Sequence, residues 1–296
     1  MNNIEAVFTA FEMAQIIGAL PGHTEAEIAQ LVPAMRVVIT RTLEERLNFQ
    51  RSIDQRSPPP PYWHFAEMLL YQRQHVRPTQ SSAVVTFNYD LAVDYAIQQR
   101  FPIDYGLDPP VAGAIPVLKL HGSLNWFYCS TCERIIPWDL APLTQKLSAL
   151  EMNRGQLPIK LSGVIDQWDH KVRLGHDVRT QPVLVPPTWS KAEYHRTLAG
   201  VWKRAALELR EAENIYIIGF SLPVTDEFFR YLYSLGTVGD TILRRFWVID
   251  PDPSGTVEQR FKSLLGPGAE QRFAFHKETF GRAITRLKNE YEKQSR

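Results

Sequence analysis

The stretch that decides the fold holds two apolar segments, each ending in polar turn residues. The first reads Val84-Val85-Thr86-Phe87-Asn88-Tyr89-Asp90, and the second reads Val117-Leu118-Lys119-Leu120-His121-Gly122-Ser123-Leu124-Asn125-Trp126. Short continuous apolar runs bounded by turn residues are typical of strands buried on both faces, as in a parallel sheet with helical crossovers. Asn88 and His121 then lie just beyond the carboxyl ends of two strands, where open α/β sheets bind their ligands. The pattern therefore predicts a ligand site at this sheet edge.

Strand and helix patterns alternate along the chain from Ser81 onward. Apolar strands are predicted at 183–185, 215–218 and 246–249, and helices at 91–97, 190–212 and 226–235. A repeated order of strand, turn and helix indicates an α/β fold with a doubly wound parallel, Rossmann-like sheet.

The first 80 residues read as a helical region. Helical spacing predicts helices at 4–20, 25–49 and 62–77, the second starting at a Thr24 and Glu27 capping box. Pro33 is expected to mark a break in that helix, and the four prolines of 57–61 a stiff loop. Four segments follow: a helical region over 1–80, a first Rossmann-like part over 81–126, a small inserted module over 127–182, and a second Rossmann-like part over 183–285.

Composition excludes several classes of protein. The chain has 296 residues, of which 44% are hydrophobic and 22% charged, and its formal net charge is +1. Such a charge balance indicates neither nucleic acid nor an anionic membrane as a partner. No apolar run approaches the ~18 residues of a membrane span, and the N-terminus lacks a secretory signal pattern. The expected location is the cytoplasm.

Four motifs resemble those of a known family. In chain order they are Thr86-Phe87-Asn88-Tyr89-Asp90, Leu120-His121-Gly122-Ser123, Val185-Pro186-Pro187-Thr188-Trp189, and Ile217-Ile218-Gly219-Phe220-Ser221-Leu222-Pro223 with Asp226 soon after. Together they resemble the sirtuin-like domains of bacterial antiphage NAD hydrolases and, more distantly, the sirtuin deacylases. The resemblance covers about residues 80 to 255.

The resemblance implies a function as well as a fold. It implies that the domain binds NAD and hydrolyses it to nicotinamide and ADP-ribose in antiphage defence, as a homo-oligomer with a phage-sensing partner protein. Three alternatives stay open. They are a pseudo-enzyme that binds NAD or ADP-ribose without turnover, an NAD-dependent protein deacylase, and an interaction module in which the first 80 residues form a helical assembly surface.

The family also implies roles for individual residues. His121 would act as a base at a ribose hydroxyl or at water, since imidazole titrates near neutral pH. Asn88 would fix the ribose or the attacking water through its uncharged carboxamide. Cofactor contacts are expected from the remaining motif residues and from one acidic residue after the last strand: Thr86, Asp90, Gly122, Gly219, Ser221 and Asp250.

Five of these residues also have a purely structural interpretation. Asn88 and Asp90 could form a turn that caps the next helix, and His121 could be an ordinary loop histidine. Gly219 could be required by a tight turn, and Asp250 could be a solvated turn residue.

The only two cysteines, Cys129 and Cys132, form one Cys-x-x-Cys, which suits a reducing compartment. It lies about where sirtuins carry the first half of a zinc ribbon. A structural zinc needs four ligands, no second cysteine pair exists, and the nearby substitutes are Asp169, His170 and His176. We therefore expect no bound metal.

One part of the family pattern is missing. The resembling domains begin with a strand leading to Gly-Ala-Gly-x-Ser, a loop that receives the dinucleotide phosphates, and the chain has no such sequence. The segment Gly18-Ala19-Leu20-Pro21-Gly22 is no substitute, because no strand is predicted before it. This departure favours weak NAD binding or slow turnover.

Overall fold

The computed structural model describes residues 4–46, 48–52, 55–76, 81–140, 156–158, 168–185, 197–223, 227–236, 241–265 and 270–294. Its helices are α1 (Ile4–Ile17), α2 (Glu25–Arg46), α3 (Pro60–His75), α4 (Ala92–Gln98), α5 (Asp169–Val172), α6 (Ala199–Glu211), α7 (Glu227–Gly236), α8 (Thr256–Lys262) and α9 (Phe280–Gln294). Its strands are β1 (Asn48–Ser52), β2 (Gln55–Ser57), β3 (Val84–Thr86), β4 (Ile103–Asp104), β5 (Ile115–Lys119), β6 (Gly122–Cys129), β7 (Arg134–Pro137), β8 (Gln156–Pro158), β9 (Val178–Leu184), β10 (Asn214–Ile218), β11 (Arg245–Ile249) and β12 (Phe273–His276). None of these helices combines the length and the apolar character needed to cross a bilayer.

Six strands run parallel, in two sets of three. The first set has the order β3-β5-β4 and the second has the order β10-β11-β12. β3 and β4 are the edge strands of the first set, and β10 and β12 are those of the second. Within the described part of the chain, neither β3 nor β10 pairs with a second strand on its outer side.

Helices cover both faces of the parallel strands. On one face, side chains of β5, β10 and β11 pack against α6, α7 and α8. On the other face, the alternate side chains of the same strands pack against α3, α4 and α9. Because both sets contribute to the same two core layers, they form one helix-covered layer. The predicted doubly wound α/β fold with parallel strands and a helical N-terminal region is confirmed.

Two antiparallel sheets accompany this core. β6 lies between β7 and β9, and β1 lies between β2 and β8. The first sheet follows directly on β5, because only two residues separate the end of that strand from the start of β6. β1 and β2 interrupt the predicted all-helical region of the first 80 residues.

Three local predictions were wrong, and one strand was not predicted. The second apolar run ends as a strand at Lys119, before His121 as expected, and the strand β6, which was not predicted, begins at Gly122 after a turn at Leu120 and His121. α2 continues through Pro33 and ends at Arg46 instead of residue 49. The loop predicted at 57–61 is shorter, because α3 begins at Pro60; proline fits the first helical turn, where the N–H has no intrahelical acceptor.

Candidate functional site

Asn88 and His121 occupy matching positions beyond two paired strands. β3 and β5 pair in parallel with Thr86 opposite Lys119, and the Leu120 amide donates to the Thr86 carbonyl at 2.9 Å. Each of the two residues therefore lies two positions past the end of its strand, at the same edge of the sheet. Asn88 is exposed and His121 is half-buried. The structure brings the two predicted catalytic residues to the same edge of the sheet.

The backbone around His121 is held from two sides. The Val185 amide donates to the His121 carbonyl at 2.8 Å, and the indole N–H of Trp202 donates to the Leu120 carbonyl at 3.0 Å. Its ring lies edge-on to Phe87, with centroids 4.9 Å apart, and 6.2 Å from the ring of Tyr89. Backbone and ring contacts together fix the position of the imidazole.

Thr86 and Asp90 serve the turn that carries Asn88. The Asn88 amide donates to the Thr86 hydroxyl at 3.1 Å, and the Ala92 amide donates to the Asp90 carboxylate at 2.9 Å at the start of α4. Burial raises the pKa of Asp90, and the nearby Lys119 charge partly opposes this shift. These are the contacts expected of the structural interpretation, in which Asp90 caps a helix.

Gly122 is required by close backbone packing. Its φ is +86°, and a Cβ atom at this position would lie 2.0 Å from the Val183 carbonyl oxygen. The residue pairs with Leu184 at the start of β6. Its role is to let β6 turn away from β5 and pair with β9, which places His121 at the corner.

The second pair of strand ends carries Gly219, Ser221 and Asp250. β10 and β11 pair in register up to Ile218 and Ile249. The Gly219 amide, at φ +66°, donates to the Ile249 carbonyl at 2.9 Å, and the exposed Ser221 accepts a bond at its carbonyl from Arg260 at 3.1 Å. The Gly219 amide is therefore already engaged within the fold.

Asp250 takes part in a turn that starts α8. Its carboxylate accepts from the Asp252 amide at 2.9 Å, and its own amide donates to the His276 carbonyl at 3.1 Å. Amides of Val257 and Ser254 in turn donate to Asp252 and lower the pKa of that carboxyl to about 2. The side chain that caps α8 is thus Asp252, which the sequence analysis did not single out.

An aromatic stack joins the two pairs of strand ends. Phe87, just beyond β3, stacks on Phe220, just beyond β10, with ring centroids 4.6 Å apart and an angle of 17°. Phe229 of α7 lies edge-on to both rings, at 5.7 and 5.1 Å. The stack puts Asn88 and His121 on the same side of the molecule as Gly219 and Ser221.

A buried polar network lies beneath this edge, and the sequence analysis missed it. Lys119 of β5 donates to the Asp94 carboxylate at 2.9 Å and to the Asp90 carbonyl. Tyr105 donates to the other Asp94 oxygen at 2.9 Å and accepts from Asn125 at 3.3 Å, and burial raises its pKa well above the usual value. The signal in the sequence was a lysine inside an apolar strand, which needs a buried partner.

Two predicted motif parts cannot be compared with this geometry. Residues 186–189 of the proline motif and Asp226 lie outside the described residues. Val185, the first residue of the proline motif, is described, and its carbonyl accepts from the Tyr89 hydroxyl.

A second cluster lies at the far end of β6. The side chains of Cys129, Cys132, His170 and His176 place four potential metal-ligand atoms within 4.8 Å of one another. Asp169, the third substitute considered from the sequence, lies outside the cluster and pairs with Arg173 at 3.6 Å.

No protein-family model matches the chain, and a search of curated proteins gives no match. The chain is similar to solved structures of Sir2 proteins. A Sir2 homologue in complex with NAD is 17% identical, with a TM-score of 0.42, over 90% of this chain and 76% of that one. A Sir2 homologue variant with ADP-ribose is 17% identical, with a TM-score of 0.43, over 89% and 77% of the two chains. A structure described as the basis for mechanism and regulation of Sir2 enzymes is 16% identical, with a TM-score of 0.42, over 90% and 82%.

Proposed function

We propose that the edge formed by the carboxyl ends of β3, β5, β10 and β11 binds NAD and hydrolyses it to nicotinamide and ADP-ribose. The observation that carries the proposal is the matched position of Asn88 and His121 beyond paired parallel strands. Ligands of open α/β sheets bind in this kind of crevice. The four sequence motifs supply the identity of the ligand.

Hydrolysis of NAD requires little acid catalysis from the protein. The positively charged nicotinamide ring is a good leaving group, so the protein must support an oxocarbenium-like ribose and position a nucleophile. His121 is suited to remove a proton from water or from a ribose hydroxyl. The Asn88 carboxamide can orient the water or the ribose, since it both donates and accepts hydrogen bonds.

In the proposed step, the oxygen of a water molecule forms a bond to the anomeric carbon of the ribose. The bond from that carbon to the nicotinamide nitrogen breaks, and its electron pair stays on the ring nitrogen, which becomes neutral. The proton of the attacking water passes to the His121 imidazole and from there to solvent. Phe87, Tyr89 and Phe220 provide an apolar wall that limits access of other water molecules.

Nicotinamide release from NAD by the purified chain tests this proposal. We expect His121→Ala and Asn88→Ala each to lower the rate at saturating NAD by roughly 10²-fold or more, the scale of a lost acid–base or positioning group. His64→Ala and Asn289→Ala are matched controls, because both residues are exposed on the outer helices α3 and α9. Circular dichroism verifies that the variants fold.

Two results would contradict the assignment. Turnover close to wild type in His121→Ala or Asn88→Ala removes that residue from the mechanism. Equal loss in the matched controls attributes the effect to general damage. Dependence of nicotinamide release on an added acyl-lysine peptide would instead support a protein deacylase.

A second candidate function is binding of NAD or ADP-ribose without efficient turnover. The observation that favours it is the Gly219 amide, which donates to Ile249 and so is not available to a phosphate oxygen. A dinucleotide pyrophosphate usually rests on the free amides of a glycine-rich turn at a helix start. Calorimetry with ADP-ribose, run beside the nicotinamide assay, separates the two functions: binding without nicotinamide release supports the second.

A strand and glycine-rich turn added between β3 and β10 would strengthen both binding and catalysis under this proposal. Each of these edge strands pairs with only one neighbour among the described residues, so the backbone groups on its outer side are those with which an added strand would pair. Calorimetry and nicotinamide release, measured on this chain and on a chain carrying such a segment, are the comparison. Equal affinity and rate in both would show that the glycine turn is dispensable.

The resemblance also supports a biological setting. We propose that the protein acts in the cytoplasm in antiphage defence, as a homo-oligomer that responds to a phage-sensing partner. Phage challenge of cells expressing wild type or His121→Ala tests the link to catalysis, and protection that persists in the variant contradicts it. Light scattering on the purified chain reports the oligomeric state.

A further inference from the structure

We propose that Cys129, Cys132, His170 and His176 form a closed structural zinc site of two thiolates and two imidazoles. The sequence alone predicts no bound metal, because no second cysteine pair exists. The fold instead brings two histidines to the cysteine pair, 38 and 44 residues along the chain from Cys132. The proposal is independent of the function assigned to the strand-end crevice.

Four of the six distances between the ligand atoms fit a tetrahedral ion. With bonds of ~2.3 Å to sulfur and ~2.0 Å to nitrogen, tetrahedral geometry separates a sulfur and a nitrogen ligand by ~3.5 Å and two nitrogens by ~3.3 Å. The Cys132 sulfur lies 3.3 Å from His176 Nδ1 and 3.7 Å from His170 Nε2. The Cys129 sulfur lies 3.8 Å from His176 Nδ1, and the two histidine nitrogens are 3.1 Å apart. These four separations lie within about 0.3 Å of the tetrahedral values, and the other two, from the Cys129 sulfur to the Cys132 sulfur and to His170, are no longer than 4.8 Å.

The chain positions these atoms through backbone contacts that do not involve a metal. The Ser130 amide donates to the Asp177 carbonyl at 2.8 Å, and the Asp177 amide donates to the Thr131 hydroxyl at 3.0 Å. Cys129 pairs with Val178 where β6 meets β9. Three of the four ligands are therefore held by the antiparallel sheet, and only His170 comes from a separate element, the single-turn helix α5.

Burial and charge support a structural ion. Cys129 is fully buried, and the other three side chains are half-buried. Two thiolates balance the charge of Zn²⁺, so the filled site is neutral with neutral imidazoles. Sulfur and imidazole ligands in a tetrahedral arrangement are typical of zinc, and four protein ligands leave no open position for a substrate. The ion would therefore join α5 to the β6–β7 hairpin.

Zinc content of the purified full chain tests the proposal. After purification under reducing conditions and removal of loosely bound metal, we expect about one zinc per chain, as for other closed four-ligand sites. Zinc should be lost in His170→Ala and in His176→Ala. His64→Ala is the matched control and should keep its zinc, because His64 is exposed on α3.

Two further measurements make the result independent of misfolding. Replacement of zinc by Co²⁺ should give a visible spectrum with thiolate-to-metal charge transfer, which weakens in Cys132→Ser. Added zinc should raise the melting temperature of the metal-free wild type and leave that of His170→Ala unchanged, since metal binding to the folded state stabilises it.

Three outcomes would overturn the site. The first is a wild-type chain that takes up no zinc after reconstitution under reducing conditions. The second is full zinc content in His170→Ala or His176→Ala. The third is a Cys129–Cys132 disulfide that forms in air and persists with zinc present.

Discussion

The ammonium group of Lys119 lies 2.9 Å from the Asp94 carboxylate, and neither side chain is exposed to solvent. Lys119 also donates to the Asp90 carbonyl, so the pair links β5 to the turn that carries Asn88. A buried ion pair of this kind adds little net stability to the fold, because the cost of removing both charges from water offsets their Coulomb attraction. Its clearest consequence is that removal of either residue leaves the charge of the other buried without a counter-ion.

We expect Lys119→Met to lower the free energy of unfolding by about 3–5 kcal/mol, because it leaves the Asp94 carboxylate buried without its cation. The double variant Lys119→Met/Asp94→Asn should recover most of this loss, since asparagine is neutral and still accepts the Tyr105 hydrogen bond. Urea unfolding measures both. A double variant less stable than the single one would contradict this account.

Asp90 predicts a pH-dependent difference in stability. Burial raises its folded-state pKa above the ordinary value of 3.8, so the protonated carboxyl is favoured in the folded protein. Its favourable contribution is present below the unfolded-state pKa and is lost as pH rises through the raised folded-state pKa. We expect Asp90→Asn, which keeps the acceptor for the Ala92 amide, to gain stability relative to wild type as pH rises from 4 to 7. Urea unfolding at several pH values is the measurement, and a constant difference contradicts the prediction.

The two glycines of the site should respond differently to alanine. Gly122→Ala places a methyl group 2.0 Å from the Val183 carbonyl oxygen, so the turn between β5 and β6 must move. We expect a loss above ~4 kcal/mol, the range of a severe core defect. Gly219→Ala meets no atom within 4 Å and should cost only the ~1–2 kcal/mol of a left-handed alanine. Thermal or urea unfolding measures the loss of stability in each variant. Similar losses in the two would contradict the close approach at Gly122.

The stack of Phe87 on Phe220 predicts energetic coupling across the site. A double-mutant cycle with Phe87→Leu and Phe220→Leu should give a coupling energy of about 0.5–1.5 kcal/mol, the usual value for an aromatic pair. The control cycle pairs Phe220→Leu with Tyr62→Leu on α3, a residue that packs on Phe280 instead. Its coupling should be close to zero, because the two side chains share no partner in the described structure. Equal coupling in both cycles would mean that the stack itself contributes nothing.

Local patterns predicted the central part of the fold well. The apolar runs at Val84 and Val117 did mark adjacent parallel strands, because a strand buried on both faces must be apolar throughout. The strand β6 after this turn was not predicted, since its start depends on the positive φ of Gly122 and on the nearby Val183 carbonyl, which the local sequence does not display. The start of α3 inside a proline run was missed for a different reason, because proline is compatible with both a loop and a first helical turn.

The same distinction between local patterns and long-range contacts holds for the predictions of the site. Placement of Asn88 and His121 beyond strand ends followed from local patterns. The contacts of Lys119 with Asp94, and of the cysteines with His170 and His176, span 25 to 47 residues and appear only once the chain has folded. No periodicity in a single sequence reports such pairs.

The outer sides of β3 and β10, which pair with no strand in the described part of the chain, make protein concentration a variable in all of these measurements. Backbone N–H and C=O groups along a strand edge can pair with an extended segment of another molecule. Such pairing is bimolecular, so the fraction of chains that pairs per unit time rises with concentration, whereas the fraction of chains that unfolds per unit time does not depend on it. A dilution series therefore separates the intrinsic stability of the fold from the reactivity of its open edges.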